Sequence, residues 1–208
     1  MKLWLIRHAR VLAPEGICYG ASDLAADPDG TLAAAKNAAE QLPLGLPLYS
    51  SPLQRCSALA RQLRKLRPDL GEIQQDARLA EMNFGQWEAY PWADIPRRAF
   101  DAWMADFGQH AFGGQESTQA VITRLGAFAQ DLQQAGIQEA ACVCHAGSIR
   151  ALHYWAAHAS RPIQNAREWP QLRIDLGCCL GLELPASAAV LPSASKTPPN
   201  THQALSAS

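Results

Sequence analysis

The chain has 208 residues, 48% apolar and 18% charged, which is material for one globular core and too little length for two large domains. Eighteen Lys and Arg against nineteen Asp and Glu leave a net charge of -1, which excludes a global basic field for nucleic acid or anionic lipid, so any positive site has to be local. No apolar run approaches the ~18 residues of a membrane span, and the short apolar run after Lys2 falls below the ~7–15 residues of a secretory leader.

In chain order, Lys2 to Ile6 reads as a buried strand that delivers Arg7 and His8 to a sheet edge. Residues 13–30, rich in Gly, Pro, Asp and Ser, read as a long loop, and the Ala-dense Thr31 to Leu42 as a helix ended by Pro43. Leu46 to Ser50 is a second strand. Ser51 as N-cap and Pro52 at the first helical position then start a helix running to Leu66, with Arg55 in its first turn. Glu72 to Gln75 suits a third strand, and Asp76 to Pro96 is irregular and aromatic-rich. A helix around Arg97 to Phe107 follows, then a loop from Gly108 to Ser117 and a helix from Thr118 to Ala135 ended by Gly136. Ala140 to Cys144 is a compact strand that stops at His145, with a glycine turn and a helix after it. Ile174 to Leu184 is the last strand candidate, weakened by Gly177 and Gly181. Residues 1–184 therefore form one domain, and 185–208, dominated by Ala, Ser, Pro and Thr without periodicity, read as a flexible tail.

Strands alternating with helices predict an α/β three-layer sandwich with a mostly parallel central sheet. Ligands of such sheets bind beyond the carboxyl ends of the strands. Three of the predicted strands end on related chemistry: Ile6 runs into Arg7 and His8, Ser50 leads to Arg55, and Cys144 runs into His145. Guanidinium forks match phosphoryl oxygens, and a neutral imidazole is a nucleophile. The cluster therefore suits an anionic phosphomonoester, with fixed cations stabilising the transferring phosphoryl group. The residues alone leave open which of the two histidines attacks.

Four segments in order resemble the histidine phosphatase superfamily, the phosphoglycerate mutase-like fold. They are Arg7-His8-Ala9, Ser51-Pro52-Leu53-Gln54-Arg55, Leu79 to Glu88 with Glu81, and His145 to Arg150. The resemblance spans about residues 2–184. It implies a metal-independent phosphomonoesterase in which His8 becomes the phosphohistidine and Arg7, Arg55 and His145 hold the phosphoryl oxygens. Glu81 would protonate the leaving alcohol and then accept a proton from the attacking water. No cofactor and no metal is implied. Softer markers resemble the α-ribazole phosphatase subgroup: Gly16 to Gly20 with Asp23, Phe84 to Glu88 with Trp92 and Ile95, and Gly114-Gln115-Glu116-Ser117 with Arg124. They imply α-ribazole 5'-phosphate as substrate, in assembling the nucleotide loop of cobalamin. The alternatives are a broad-specificity phosphatase, a phosphoglycerate mutase, or a non-catalytic phospho-ligand binder. The last draws on two departures from the family pattern, Ala9 for a glycine after the nucleophile and Gln115 for a glycine before Glu116. In addition, Arg10, Val11 and Leu12 stand where the family often has Asn or Glu-Thr shortly after the nucleophile, and Arg10 offers an extra anion contact in place of that lost one.

Plainer readings apply elsewhere. Cys18, Cys56, Cys142, Cys144, Cys178 and Cys179 lack a disulfide framework and read as reduced thiols of a cytoplasmic protein. Cys142 and Cys144 share a strand face while His145 points oppositely, so buried apolar residues are favoured over a metal site. His153 and His158 are structural or surface residues. Trp87, Trp92 and Trp103 read as packing, with Trp87 and Tyr90 near enough to Glu81 in sequence to line a pocket for a ring. The only expected partner is a small phosphorylated substrate, with no nucleic acid and no membrane, for a monomer or homodimer.

Overall fold

The computed structural model describes residues 1–159 and 161–185. Its centre is a five-stranded sheet ordered β3-β2-β4-β1-β5. The strands are β1 (Lys2–Arg7), β2 (Leu48–Ser50), β3 (Ile73–Gln75), β4 (Glu139–Cys144) and β5 (Cys179–Glu183), all parallel except β5, which runs antiparallel beside β1. Alternation along β4 divides the core. Ala140, Cys142 and Cys144 face one hydrophobic cluster together with Leu3 and Leu5, while Ala141 and Val143 face the other with Ile6 and Leu48.

Helices α1 (Pro28–Gln41) and α2 (Gln54–Leu66) pack against each other on the second face. Helices α4 (Thr118–Gln134) and α5 (Ala146–His158) pair on the first face, and the short α3 (Arg97–Ala105) lies between α2 and α4 in sequence. The result is the three-layer α/β sandwich that the alternation predicted. Leu59 and Leu63 of α2 and Leu125 of α4 have no exposed surface, so truncating any of them to alanine removes ~2–5 kcal/mol of stability. No helix among the described residues is long and apolar enough to cross a membrane.

Several element boundaries differ from the sequence reading by one or more residues, and three of the differences have a cause in the structure. Helix α1 begins at Pro28 rather than Thr31, because the Asp27 carboxylate accepts from Gly30 N at 2.7 Å and caps the helix three residues earlier. Helix α2 begins at Gln54, because Ser51 and Pro52 form a lead-in turn and the Asp23 carboxylate, from a distant loop, accepts from Gln54 N at 2.6 Å. The last strand covers only Cys179–Glu183. Gly177, at φ 73°, turns the chain back so that its N–H reaches the carbonyls of Arg7 and His8 at 3.2 and 3.3 Å. The tail reading over 185–208 falls, beyond Pro185, outside the described residues.

Candidate active site

The parallel register lines up three strand ends. Arg7 sits opposite Cys144 and Ser50 opposite Val143. The ladder continues one residue further, with His8 N donating to Cys144 O at 3.2 Å and Ser51 N to Val143 O at 2.9 Å. His8, Ser51 and His145 therefore emerge side by side at one edge of the sheet, and the first turn of α2 brings Arg55 to the same edge.

The imidazole of His8 is buried, with Nδ1 2.6 Å from the carbonyl of Ala9. A carbonyl only accepts, so Nδ1 carries the proton and Nε2 keeps its lone pair. Burial, with Arg55 and Arg7 adding their charge and the Ala9 hydrogen bond opposing, lowers the His8 pKa from 6.5 to about 3. The ring of His145 lies 5.1 Å away, edge-on, and burial together with the Arg55 charge holds it neutral too. Its Nδ1 accepts from Arg55 Nε at 3.2 Å, which leaves Nε2–H to donate to Ser51 Oγ at 2.9 Å.

Neutral imidazoles in the fold have a consequence for acid stability. Between the folded value of about 3 for His8 and its ordinary value of 6.5 in the unfolded chain, the unfolded chain binds more protons than the native one, so stability rises with pH through that window and is lost as pH falls. Proton NMR of the ligand-free protein is expected to show no titration midpoint for His8 or His145 between about pH 5 and 8, where an unperturbed imidazole has one. A midpoint there for His8 contradicts the burial argument.

Three arginines face the same space. Arg7 Nη1 donates to Ile174 O at 2.6 Å, while its buried Nε has no hydrogen-bond partner among the described residues. Arg55 has no exposed surface and spends Nη1 on Ser22 O and Nη2 on Gly20 O, each at 2.6 Å, keeping one N–H on each terminal nitrogen. Arg150, which the sequence reading quoted in a motif without giving it a role, donates to Leu172 O at 3.1 Å and lines the cavity. None of the ion pairs among the described residues includes any of the three. A fully buried guanidinium such as that of Arg55 is costly without a counter-ion, and an anion in the cavity offsets that cost.

Among the described residues, Glu81 is the one carboxylate on the cavity wall. It does not pair with Arg78, whose guanidinium binds Asp76 and Asp131 instead. Its Oε2 accepts from Gly147 N, in the first turn of α5, at 3.0 Å, and a Cβ on Gly147 would stand 2.2 Å from Oε1, so only glycine admits the carboxylate here. The strap carrying Glu81 is pinned on both sides. Arg124 donates to Ala80 O at 2.8 Å, and Glu116, paired with Arg124, accepts from Asn83 N at 3.1 Å.

A cavity of about 360 Å³ opens in front of His8, within the range of small-molecule sites. Beyond its charged end the walls are aromatic: Tyr19, Phe84, Trp92, Trp103, Phe107 and Trp169. Trp87 and Tyr90 are not among them. The turn at Gly85–Trp87 directs Trp87 onto Tyr90 and Phe112, which corrects the expectation that this pair lines the pocket. The wall is drawn from separate segments, and no local spacing signalled Trp103 or Trp169 as lining residues.

The structure thus brings together Arg7, His8, Arg55 and Glu81 on the cavity, with His145 fully buried behind them. Contact between His145 and a bound anion requires its Nε2–H to leave Ser51. Arg10 is exposed and lies outside the cavity, so it supplies no extra contact there. The Ala9 methyl faces a separate hollow shared with Gly30 and Ala34, and Gln115 lies on the far side of Glu81 beside Arg124. Neither departure from the family pattern intrudes on the space before His8. Cys142 and Cys144 are buried core residues, and no group of three or more His, Cys, Asp or Glu among the described residues is placed to hold a metal ion.

The sequence profile of the histidine phosphatase superfamily (branch 1) matches residues 3–190. The chain belongs to this superfamily. The histidine phosphatase is 30% identical over 157 residues, 73% of its own length and 76% of the relative's, to a Hydrogenobacter thermophilus protein provisionally named phosphoserine phosphatase 2. Among solved structures it resembles the α-ribazole phosphatase of Shigella flexneri, with a TM-score of 0.71 and 26% identity over 88% of this chain and 90% of that one. A mycobacterial glucosyl-3-phosphoglycerate phosphatase complexed with VO3 gives a TM-score of 0.72 and 25% identity over 88% of this chain and 90% of that one. The fold is phosphoglycerate mutase-like, and the protein is a phosphatase.

Proposed function

We propose that the histidine phosphatase hydrolyses a phosphomonoester whose alcohol carries an aromatic ring, through a phosphohistidine on His8. The observation that carries this reading is the lone pair of His8 Nε2 beside the fully buried Arg55 guanidinium and the half-buried Arg7, neither in an ion pair among the described residues, at the charged end of an aromatic cavity. The phosphoryl oxygens take the N–H groups left over on Arg7 and Arg55, and His145 Nε2–H moves from Ser51 to the same oxygens. His8 Nε2 attacks phosphorus in line, the bond to the leaving oxygen breaks, and Glu81 gives that oxygen a proton. Glu81 then takes a proton from the water that attacks the phosphohistidine, releasing phosphate and restoring His8.

The wall argues for the nature of the alcohol. A flat ring stacks against Trp92, Trp103 and Trp169, whereas a charged leaving group such as serine or glycerate finds Arg150 and little else that is polar. Among the substrates named by the similar phosphatases, we take α-ribazole 5'-phosphate as the one whose ring suits this wall, and the reaction as a step in assembling the cobalamin nucleotide loop. A broad-specificity phosphatase is the second reading, favoured by the scarcity of directional polar groups on the same wall.

A phosphomonoester panel separates the two. With α-ribazole phosphate, 3-phosphoglycerate, phosphoserine and sugar phosphates scored by kcat/KM, the first reading expects a preference of at least about 100-fold for α-ribazole phosphate. A flat profile supports broad specificity. Trp103→Ala is expected to lower kcat/KM about tenfold for a ring-bearing ester and to leave glycerol phosphate within about twofold. Equal losses on both esters place Trp103 outside the leaving-group site.

A further inference from the structure

Glu88 lies outside the cavity and the catalytic steps above do not use it, yet its carboxylate is more heavily engaged than any in the site. Oε2 accepts from Gly20 N at 2.9 Å, from Ser22 N at 3.1 Å and from Ser22 Oγ at 2.5 Å. Oε1 accepts from Ala21 N and from Phe84 N, each at 2.9 Å. No Lys or Arg pairs with it among the described residues, so its charge is met by a nest of oriented donors alone.

The same loop turns its carbonyls the other way. Gly20 O and Ser22 O accept from the two terminal nitrogens of Arg55. The peptide unit joining Gly20 to Ala21 therefore has its C=O on Arg55 and its N–H on Glu88, a continuous line from carboxylate through peptide to guanidinium. Each member polarises the next, and charge at both ends strengthens the chain. The loop also lies tight against the strap bearing Glu81, since a Cβ on Gly20 would come within 1.8 Å of Met82 O.

We propose that Glu88 is a positioning residue that acts on the reaction through Arg55, by fixing the Gly20–Ser22 loop whose carbonyls aim the guanidinium at the phosphoryl group. Burial raises the Glu88 carboxyl, but the N–H donors of Gly20, Phe84 and Ala21 and the Ser22 hydroxyl outweigh it and hold the pKa below the usual carboxylate range. The carboxylate is therefore charged at neutral pH. By the Phe84 hydrogen bond the same group fixes the distance between the phosphate cradle and the segment that follows Glu81. The inference rests on the reading of Arg55 as a phosphoryl contact.

The test is a double-mutant cycle on the full chain, using p-nitrophenyl phosphate turnover and vanadate inhibition. Glu88→Gln keeps the shape but sets an NH2 group against N–H donors. It is expected to lower kcat/KM about 10–100-fold, the range for groups that support a reacting shell, and to raise the vanadate inhibition constant by a similar factor. In an Arg55→Ala background the same substitution should change kcat/KM by less than about twofold, a non-additivity that a merely structural residue does not produce. A full-sized effect in that background, or an unchanged Glu88→Gln enzyme alongside a crippled Arg55→Ala enzyme, overturns the proposal and leaves the role of Arg55 intact. A wild-type-like Arg55→Ala enzyme overturns the phosphoryl-contact reading itself. Should Glu88→Gln fail to fold, Ser22→Ala removes one donor and spares the backbone. Its expected loss is about 3- to 10-fold, absent in the Arg55→Ala background, and no loss in the otherwise native chain overturns the proposal.

Discussion

Replacing His8 with alanine is expected to lower kcat by about four to six orders of magnitude, the scale on which removal of an activated nucleophile acts. The hydrogen bond from Nδ1 to Ala9 O fixes the tautomer and presents the lone pair of Nε2 to the cavity, and no other side chain in the cluster does both. The His145 ring has its Nδ1 on Arg55 and its Nε2 on Ser51, so it cannot substitute without releasing one of them. Folding should survive, because the lost imidazole is neutral and its removal leaves no buried charge unpaired. Binding of phosphate or vanadate should survive as well, since Arg7 and Arg55 keep their unanswered N–H groups. A phosphate label trapped on the wild type should withstand alkali and be lost in acid, as a phosphorus–nitrogen bond is, and should be missing from His8→Ala. Retained turnover in the variant, or an acid-stable label, rejects His8 as the nucleophile.

The strand-end residues were the most legible part of the site. A buried parallel strand reads as an apolar run, and the polar residues directly after it must emerge at the sheet edge, so Arg7, His8 and His145 were placed by where those runs end. Helix α2 shows where this reasoning stops. Ser51 before Pro52 has the local signature of a cap, but its hydroxyl meets His145, and the helix takes its cap from Asp23, 31 residues away in sequence. Long-range capping of that kind leaves no local pattern. The aromatic wall was illegible for a related reason. Trp92, Trp103 and Trp169 come from a 3-10 turn, a short helix and a loop, and only tertiary packing makes them one surface. The two sheet faces of Cys142 and Cys144 against Ala141 and Val143, by contrast, follow directly from a period of two. Glu88 stood in a recognised segment, but its neighbours in space are Gly20 to Ser22, and nothing in the spacing linked it to Arg55.

Glu81→Gln should separate the two proton transfers that the cavity asks of one carboxylate. The amide oxygen can still accept from Gly147 N while the bond from Met82 N to Oε1 is lost, and Arg124 and Glu116 still hold the strap in place. With an alkyl phosphate the leaving alcohol needs a proton, and the rate of forming the phosphoenzyme is expected to fall about 100- to 10,000-fold. With p-nitrophenyl phosphate the leaving group departs without help, so phosphoenzyme forms at a near-native rate. Its hydrolysis still needs a base to take the proton from water. The variant should therefore give a burst of nitrophenol followed by slow steady turnover, with phosphohistidine accumulating, while the alkyl ester gives neither burst nor intermediate. Gly147→Ala should mimic this pattern from the backbone side, because the added methyl would stand 2.2 Å from Glu81 Oε1 and force the carboxylate away. A loss of equal size on both esters, without a burst on the activated one, means that Glu81 supports the site and transfers no proton.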